Sequence, residues 1–283
     1  MFGSLVIVLP TVHEGGALVL RHGGKEWTFD SAREVSEQPQ PSIGYIAFYS
    51  DIEHEVTLVK SGYRVTLTYN LYFSVNDADD KAAVALPINY AVSENEAAFI
   101  AALSDLLADE SVLPMGGTLG FGLRHEYPVN INTKLATLND RLKGSDAIVK
   151  RGCNQLSLIT SLKIMYQENN YSSATLIMTD RFADLSQRGE VEDLWEALSN
   201  SHYGGVAVYS SGHAVPEKEK YDRATKQWVK EKPVEIYWAT KLTKVTTLKK
   251  EFVTYGNEAE LAYLYGRVFL TAQVGPPGHR TEI

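Results

Sequence analysis

Residues 48–73, FYSDIEHEVTLVKSGYRVTLTYNLYF, decide the fold. In the second half, Arg64, Thr66, Thr68, Asn70 and Tyr72 share one face, and Val65, Leu67, Tyr69, Leu71 and Phe73 share the other. A period of two is that of a β-strand with one wet and one dry face. In the first half, the apolar run Ile46–Tyr49 gives way to His54 between Glu53 and Glu55, and Ser61-Gly62 supplies a turn before Arg64.

Working outward, short runs of the same kind recur. The pattern predicts strands at Ser4–Leu9, Ala17–Arg21, Glu26–Phe29, Gly44–Tyr49, Glu55–Val59 and Arg64–Phe73. Gly15-Gly16 and Gly23-Gly24 provide the positive φ angles of tight hairpins, and the Pro39–Pro41 segment marks a longer connection. Strands this short at this spacing imply a sandwich or barrel. Leu5 to Leu9 is apolar on both faces, as a buried strand is. It lacks the basic flank and the small-residue cleavage site of a signal peptide.

The pattern breaks after residue 76. Asp77, Asp79 and Asp80 fall in a solvated stretch without the glycine and distal glutamate of an EF-hand loop. Residues 77–93 read as a linker between a first domain, 1–76, and a region of α+β character, 94–283. Ser93 and Glu96 form a capping box before the apolar stripe Phe99, Ile100, Leu103, Leu106 and Leu107. Further helices are predicted near Asp146–Leu156 and Val191–Ser199, and strands at Val206–Tyr209, Glu235–Ala239 and Arg267–Val274. Residues 212–233 are highly charged and read as an exposed excursion. Arg64 and Arg267 each open an Arg-Val-x-Leu-Thr segment, a faint echo that raises the question of a degenerate second copy in the carboxy-terminal region.

Composition narrows the function classes. The formal charge of −8 and pI near 5.4 do not suit a general nucleic-acid binder. A single cysteine, Cys153, forms no intrachain disulfide and no cysteine-based zinc site, and fits a reducing compartment, cytoplasm or nucleus. No 18-residue apolar run is present, so no membrane span is expected.

On its own the strand at Arg64 admits two readings: an edge strand with water outside, or a barrel strand whose polar face lines a ligand cavity. Arginine binds a carboxylate through a planar fork, and neutral imidazole ligates transition metals. His13 and Glu14 are adjacent and point to opposite faces, so they do not make a metal pair. His22 reads as a turn residue, and Glu53 or Glu55 either orients the His54 ring or is merely solvated. The glycine-rich stretch 113–128 lacks the Walker lysine and a following helix pattern, so backbone crowding or a loop crossing the barrel explains it better than phosphate binding. Asn170-Tyr171-Ser172 is a glycosylation acceptor only in a secreted chain.

The stretches GGALVLRH and IGYIAFYSDIEHEVTLVKSGYRVTLTYNL resemble the iron(II)/2-oxoglutarate dioxygenases of the prolyl 4-hydroxylase type, in particular fungal members with large carboxy-terminal extensions. The resemblance covers about residues 3–73. It implies a double-stranded β-helix (jelly roll), mainly β, followed by the α+β extension. It implies that His54 is the distal iron-ligating histidine and that Arg64 holds the far carboxylate of 2-oxoglutarate. Iron(II), 2-oxoglutarate and, as a reductant, ascorbate come with it, as does a protein or peptide substrate. Residues 255–267 also resemble the carboxy-terminal part of the fungal relatives, without an assigned role.

One feature of the family is missing. Its facial triad needs a second histidine and a carboxylate in a His-x-Asp pair. None of the seven histidines, His13, His22, His54, His125, His202, His213 and His279, has an acid two residues later. The expectation is an amino-terminally incomplete β-helix that is inactive or impaired as given. The competing expectation is a non-catalytic jelly-roll module that engages a protein partner.

Overall fold

The apolar run at the amino terminus folds as β1 (Gly3–Val8). It takes the middle place in a three-stranded antiparallel sheet, between β5 (Gly44–Tyr49) and β8 (Thr66–Leu71). Both of its edges are paired and neither face is fully open to water, so its sequence carries no polar alternation. Val6 and Val8 are buried on one face, and Leu5 and Ile7 are half-buried on the other. Val6 lies beside Ile46 and Thr68, and Leu5 beside Ala47 and Tyr69. The computed structural model describes residues 1–72, 93–129, 133–169, 174–183, 194–199, 203–210, 219–222, 225–230, 232–242, 245, 264–266 and 268–282.

In a second sheet β3 (Leu18–His22) lies between β4 (Lys25–Phe29) and β6 (Glu53–Val56), and β2 (His13–Gly15) pairs with β7 (Val59–Gly62). The pairs β1–β8, β2–β7 and β3–β6 are nested, outermost with outermost. The strand expected over Glu55–Val59 is therefore two strands. Thr57 breaks it: its N–H donates to the Ala17 carbonyl and its hydroxyl accepts from the Ala17 N–H, both at 2.9 Å, as the chain passes from β3 to β2. The last strand begins at Thr66 rather than Arg64, although Leu9 N–H still donates to the Val65 carbonyl. A short helix α1 (Ser31–Ser36), N-capped by Asp30, was not legible in the pattern.

These elements belong to the first of two units, Met1–Ile88; the second is Asn89–Ile283. Apart from Ser93, the expected linker 77–93 lies outside the described residues, as do Asp77, Asp79, Asp80, Phe73, Asn170, His202, His213 and Arg267.

The second unit holds helix α2 (Glu94–Ala108), in which the Glu96 N–H donates to Ser93 Oγ at 3.2 Å, so half of the predicted capping box forms. Then follow β9 (Gly117–Gly122), β10 (Tyr127–Val129), a 3₁₀ helix over Leu135–Arg141 and α3 (Gly144–Gln155). Next come β11 (Ile159–Asn169), β12 (Ala174–Thr179), α4 (Leu194–Leu198), β13 (Val206–Tyr209), the hairpin β14 (Glu219–Asp222) and β15 (Gln227–Lys230), and β16 (Val234–Thr240). β17 (Leu264–Gly266) pairs with β10, and β18 (Val268–Val274) closes a six-stranded barrel in the order β11-β12-β13-β16-β9-β18. Alternate residues split its core. Ile164, Tyr166 and Leu270 pack with Leu103 of α2 and Cys153 of α3, and Met165, Met178 and Phe269 form a separate cluster with Trp238.

The glycine-rich stretch is barrel strand β9. A Cβ on Gly120 would lie 2.7 Å from the Trp238 ring, and one on Gly122 would lie 2.0 Å from the Lys241 carbonyl oxygen, so crowding is what selects glycine here. The echoed segments occupy different places: among the described residues β8 has one strand partner, whereas β18 sits between β11 and β9. Among the described residues no helix is long and apolar enough to cross a membrane.

Candidate functional site

Arg64 stands two residues before Thr66 and continues the face that the register sets beside Val8 and Val6. Its stem lies against the Gly15-Gly16 turn. A Cβ on Gly16 would be 2.7 Å from Arg64 Cδ and 3.0 Å from Val59 Cγ2, and Gly16 has φ +71°. Glycine is thus required twice, for backbone conformation and for room. The guanidinium is half-buried. Its Nε is shut off from water and makes no hydrogen bond, and no ion pair to Arg64 forms among the described residues. Loss of water lowers its pKa relative to an ordinary arginine, while the group stays a cation. A desolvated cation with an unused donor is the chemistry of an anion site. A carboxylate at the part of the fork that still reaches water would balance the charge, while Nε stays enclosed by the protein.

His54 is on β6, opposite Leu20, and its side chain is exposed. Nδ1 lies 3.0 Å from the Ile52 carbonyl oxygen. A carbonyl only accepts, so Nδ1 carries the proton, and the lone pair of the neutral ring is on Nε2. That is the tautomer a metal-binding histidine uses when a carbonyl orients it. The ring rests against Phe48 of β5 at 4.8 Å between centroids. Phe48 shares the face of its sheet with Ile46 and, through β1, with Val6, which is the face Arg64 continues. His54 thus sits on one sheet and Arg64 just ahead of the last strand of the other, with no hydrogen bond joining them.

Glu53 and Glu55 do not orient His54. The β6 alternation turns them to the other face, where Arg21 takes Glu55 at 2.6 Å, Glu26 at 2.7 Å and Glu53 at 3.8 Å. His13 is held by the Thr11 carbonyl at 2.7 Å and Ser31 Oγ at 3.3 Å, which gives it a structural place at the head of α1. His22 ends β3 at the Gly23-Gly24 turn.

Among the described residues the donor set does not fit a resident iron ion. His54 offers one ligand, and among the described residues no three His, Cys, Asp or Glu side chains are grouped to hold a metal. Three protein ligands are the minimum for the 2-His-1-carboxylate arrangement.

Sequence reading missed a second polar centre. Asp146, at the start of α3, is buried and accepts from the Arg124 N–H at 2.9 Å, the His125 N–H at 3.0 Å and the Tyr127 hydroxyl at 2.8 Å. The Lys143 N–H donates to Tyr127 Oη, and Lys143 Nζ donates to the Glu126 carbonyl at 2.9 Å. Both oxygens of Asp146 are occupied, so this centre ties the 124–127 segment to α3. The available signal was an acid in the first turn of a predicted helix.

Comparison with protein-family models, with curated proteins and with solved structures finds no match to this chain.

Proposed function

We propose that the first unit is a double-stranded β-helix of the iron(II)/2-oxoglutarate dioxygenase type, in which Arg64 holds a carboxylate of 2-oxoglutarate. The chain binds this dicarboxylate without turning it over, because His54 is the one triad ligand among the described residues. The nested pairs β1–β8, β2–β7 and β3–β6 support the fold, since a jelly roll pairs its strands in this way. The observation that carries the function is the half-buried Arg64 guanidinium with its unbonded Nε.

Calorimetric titration with 2-oxoglutarate tests the reading. The expected result is one site per chain, weakened about 10- to 150-fold in Arg64→Met, the equivalent of one charge-assisted contact of about 1.5–3 kcal/mol. A monocarboxylate 2-oxo acid of similar length should bind no better than that variant. Absence of binding to the wild type, or binding that Arg64→Met leaves unchanged, overturns the proposal.

The alternative of a non-catalytic interaction module is favoured by a different observation. Tyr45, Leu67 and Tyr69, on the outer face of the β5-β1-β8 sheet, are 73 %, 47 % and 49 % exposed.

A further inference from the structure

Helix α2 ends without the usual devices. Its last turn carries no basic residue, and Asp109 at its C-cap is extended where a left-handed glycine commonly closes a helix. Ser111, whose N–H would serve the Leu107 carbonyl in a continuing helix, donates to Asp109 Oδ1 at 2.8 Å instead. The missing donor comes from far along the chain. Arg280 lies in the segment 275–282, which follows β18. Its Nε donates to the Leu107 carbonyl at 2.9 Å, and its Nη2 to the Asp109 and Val112 carbonyls at 2.8 and 2.9 Å. Its Nη1 donates to the Leu113 and Gly275 carbonyls at 3.1 Å each. All five N–H donors of the fork thus end on main-chain carbonyls. One side chain ties the end of α2, the turn after it and the end of β18 together. The Arg280 carbonyl in turn accepts from the Gly275 N–H at 2.9 Å, so the segment folds back on itself.

What it ties is otherwise weakly held. Glu96 and Leu103 are the buried residues of α2, while Phe99, Leu106 and Leu107 are half-buried against the barrel core. In the turn that follows, Leu113 stands at φ +48°, a region that leucine rarely adopts. Its carbonyl is fixed from two sides, by Arg280 and by the Gly116 N–H at 2.9 Å. Undoing the tie relaxes a strained residue and costs little buried apolar surface. Elements with few buried contacts are the ones that open locally.

We infer that the segment 275–282 is a latch and that α2 is the cover it holds. With Arg280 seated, α2 is closed over the core cluster to which Leu103 belongs. When Arg280 is withdrawn, α2 opens as a unit while the barrel stays folded. The guanidinium fork is essential, because a point charge at the helix end would answer the dipole but could not hold carbonyls of three separate stretches at once. The latch lies wholly in the second unit and stands whether or not Arg64 binds 2-oxoglutarate.

Amide hydrogen exchange of the full chain, read by mass spectrometry on peptides from α2, β11 and β18, tests it. In Arg280→Met the exchange of α2 should accelerate at least about 10-fold, as the loss of charge-assisted hydrogen bonds implies, while β11 and β18 keep their wild-type rates. Arg280→Lys keeps the charge without the fork and should open α2 as well. An α2 that keeps its rate in Arg280→Met overturns the latch. So does an acceleration shared equally by α2 and the barrel strands, which would make Arg280 a support of the whole unit. An Arg280→Lys variant in which α2 is as protected as in the wild type overturns it too, since charge alone would then suffice. Should Arg280→Met fail to fold, the wild type decides. At low urea its α2 amides should exchange with little dependence on urea, and those of β18 with a steep one. A common slope for both overturns the inference.

Discussion

Gly16 and Arg64 occupy the same few ångströms: a Cβ on the glycine would stand 2.7 Å from Cδ of the arginine. The hairpin glycine is therefore part of the anion site as well as of the turn. Gly24 is a natural control, with φ +75° and nothing within 4 Å of its Cβ position. Gly24→Ala should cost about 1 kcal/mol of strain and leave 2-oxoglutarate binding intact. Gly16→Ala should cost more, and should also weaken 2-oxoglutarate binding at least as far as Arg64→Met does. Urea midpoints and calorimetry separate the two effects. Equal behaviour of the two variants would detach Gly16 from the site.

Arg64 makes a second prediction, on stability. A cation held partly out of water with an unsatisfied donor is unfavourable in the absence of an anion. Arg64→Met keeps the stem and removes the charge. Its urea midpoint without ligand should equal or exceed that of the wild type. With saturating 2-oxoglutarate the order should reverse, because only the wild type gains binding free energy. A variant less stable than the wild type without ligand would mean that the guanidinium has a partner of its own.

The strands of the first unit were legible because period-two alternation and Gly-Gly turns are local signals. Gly44–Tyr49 was found to the residue. What local signals miss is a long-range decision. The break at Thr57 depends on Ala17, forty residues away, and nothing within Glu55–Val59 announces it. Arg64 could be singled out as a candidate anion ligand, but its desolvation comes from the Gly15-Gly16 turn, which only the β2–β7 pairing brings alongside. The clustering of Asp146 with residues 124–127 was invisible for the same reason. The barrel order was equally illegible, since the parallel β13–β16 and β16–β9 pairs join strands that are not sequence neighbours.

Metal binding provides a third prediction. One imidazole leaves most iron positions to water, so anaerobic titration with iron(II) should show weak binding without defined stoichiometry. His54→Ala should change it little. Tight one-to-one binding lost in that variant would reveal ligands beyond those described.

Asp146 should be the most sensitive position of the second unit. Asp146→Ala removes the acceptor of the buried His125 N–H and Tyr127 hydroxyl, at about 1–3 kcal/mol each, and of the part-buried Arg124 N–H. The expected loss is about 3 kcal/mol or more. Tyr127→Phe removes one donor and should cost only about 1–2 kcal/mol. The measurement is the unfolding transition of the barrel, followed by exposure of Cys153 to a thiol reagent. A mild Asp146→Ala phenotype would show that water replaces the carboxylate, and that the segment is less closed than its burial implies.

Acid stability provides the last prediction, from the pair that joins α2 to α3. Arg151 donates to both oxygens of Glu96, at 2.8 and 2.7 Å, and holds its carboxyl below the ordinary value of 4.5. A folded-state pKa below the unfolded one means that folding favours the ionised carboxylate. The stabilisation is complete above pH 4.5 and is lost as the pH falls through the lower folded value. Arg151 is about half exposed, so the pair is worth about 1 kcal/mol at most once solvent screening is allowed for. Glu96→Gln should lower the free energy of unfolding from urea titration at pH 7 by that amount. The difference should narrow below pH 4.5 and vanish once Glu96 is protonated in both states. The double variant with Arg151→Met should be no worse than Arg151→Met alone, because Glu96 then has no cation left to lose. A Glu96→Gln deficit that persists undiminished at low pH would assign the loss to packing at the head of α2 instead of to the charge.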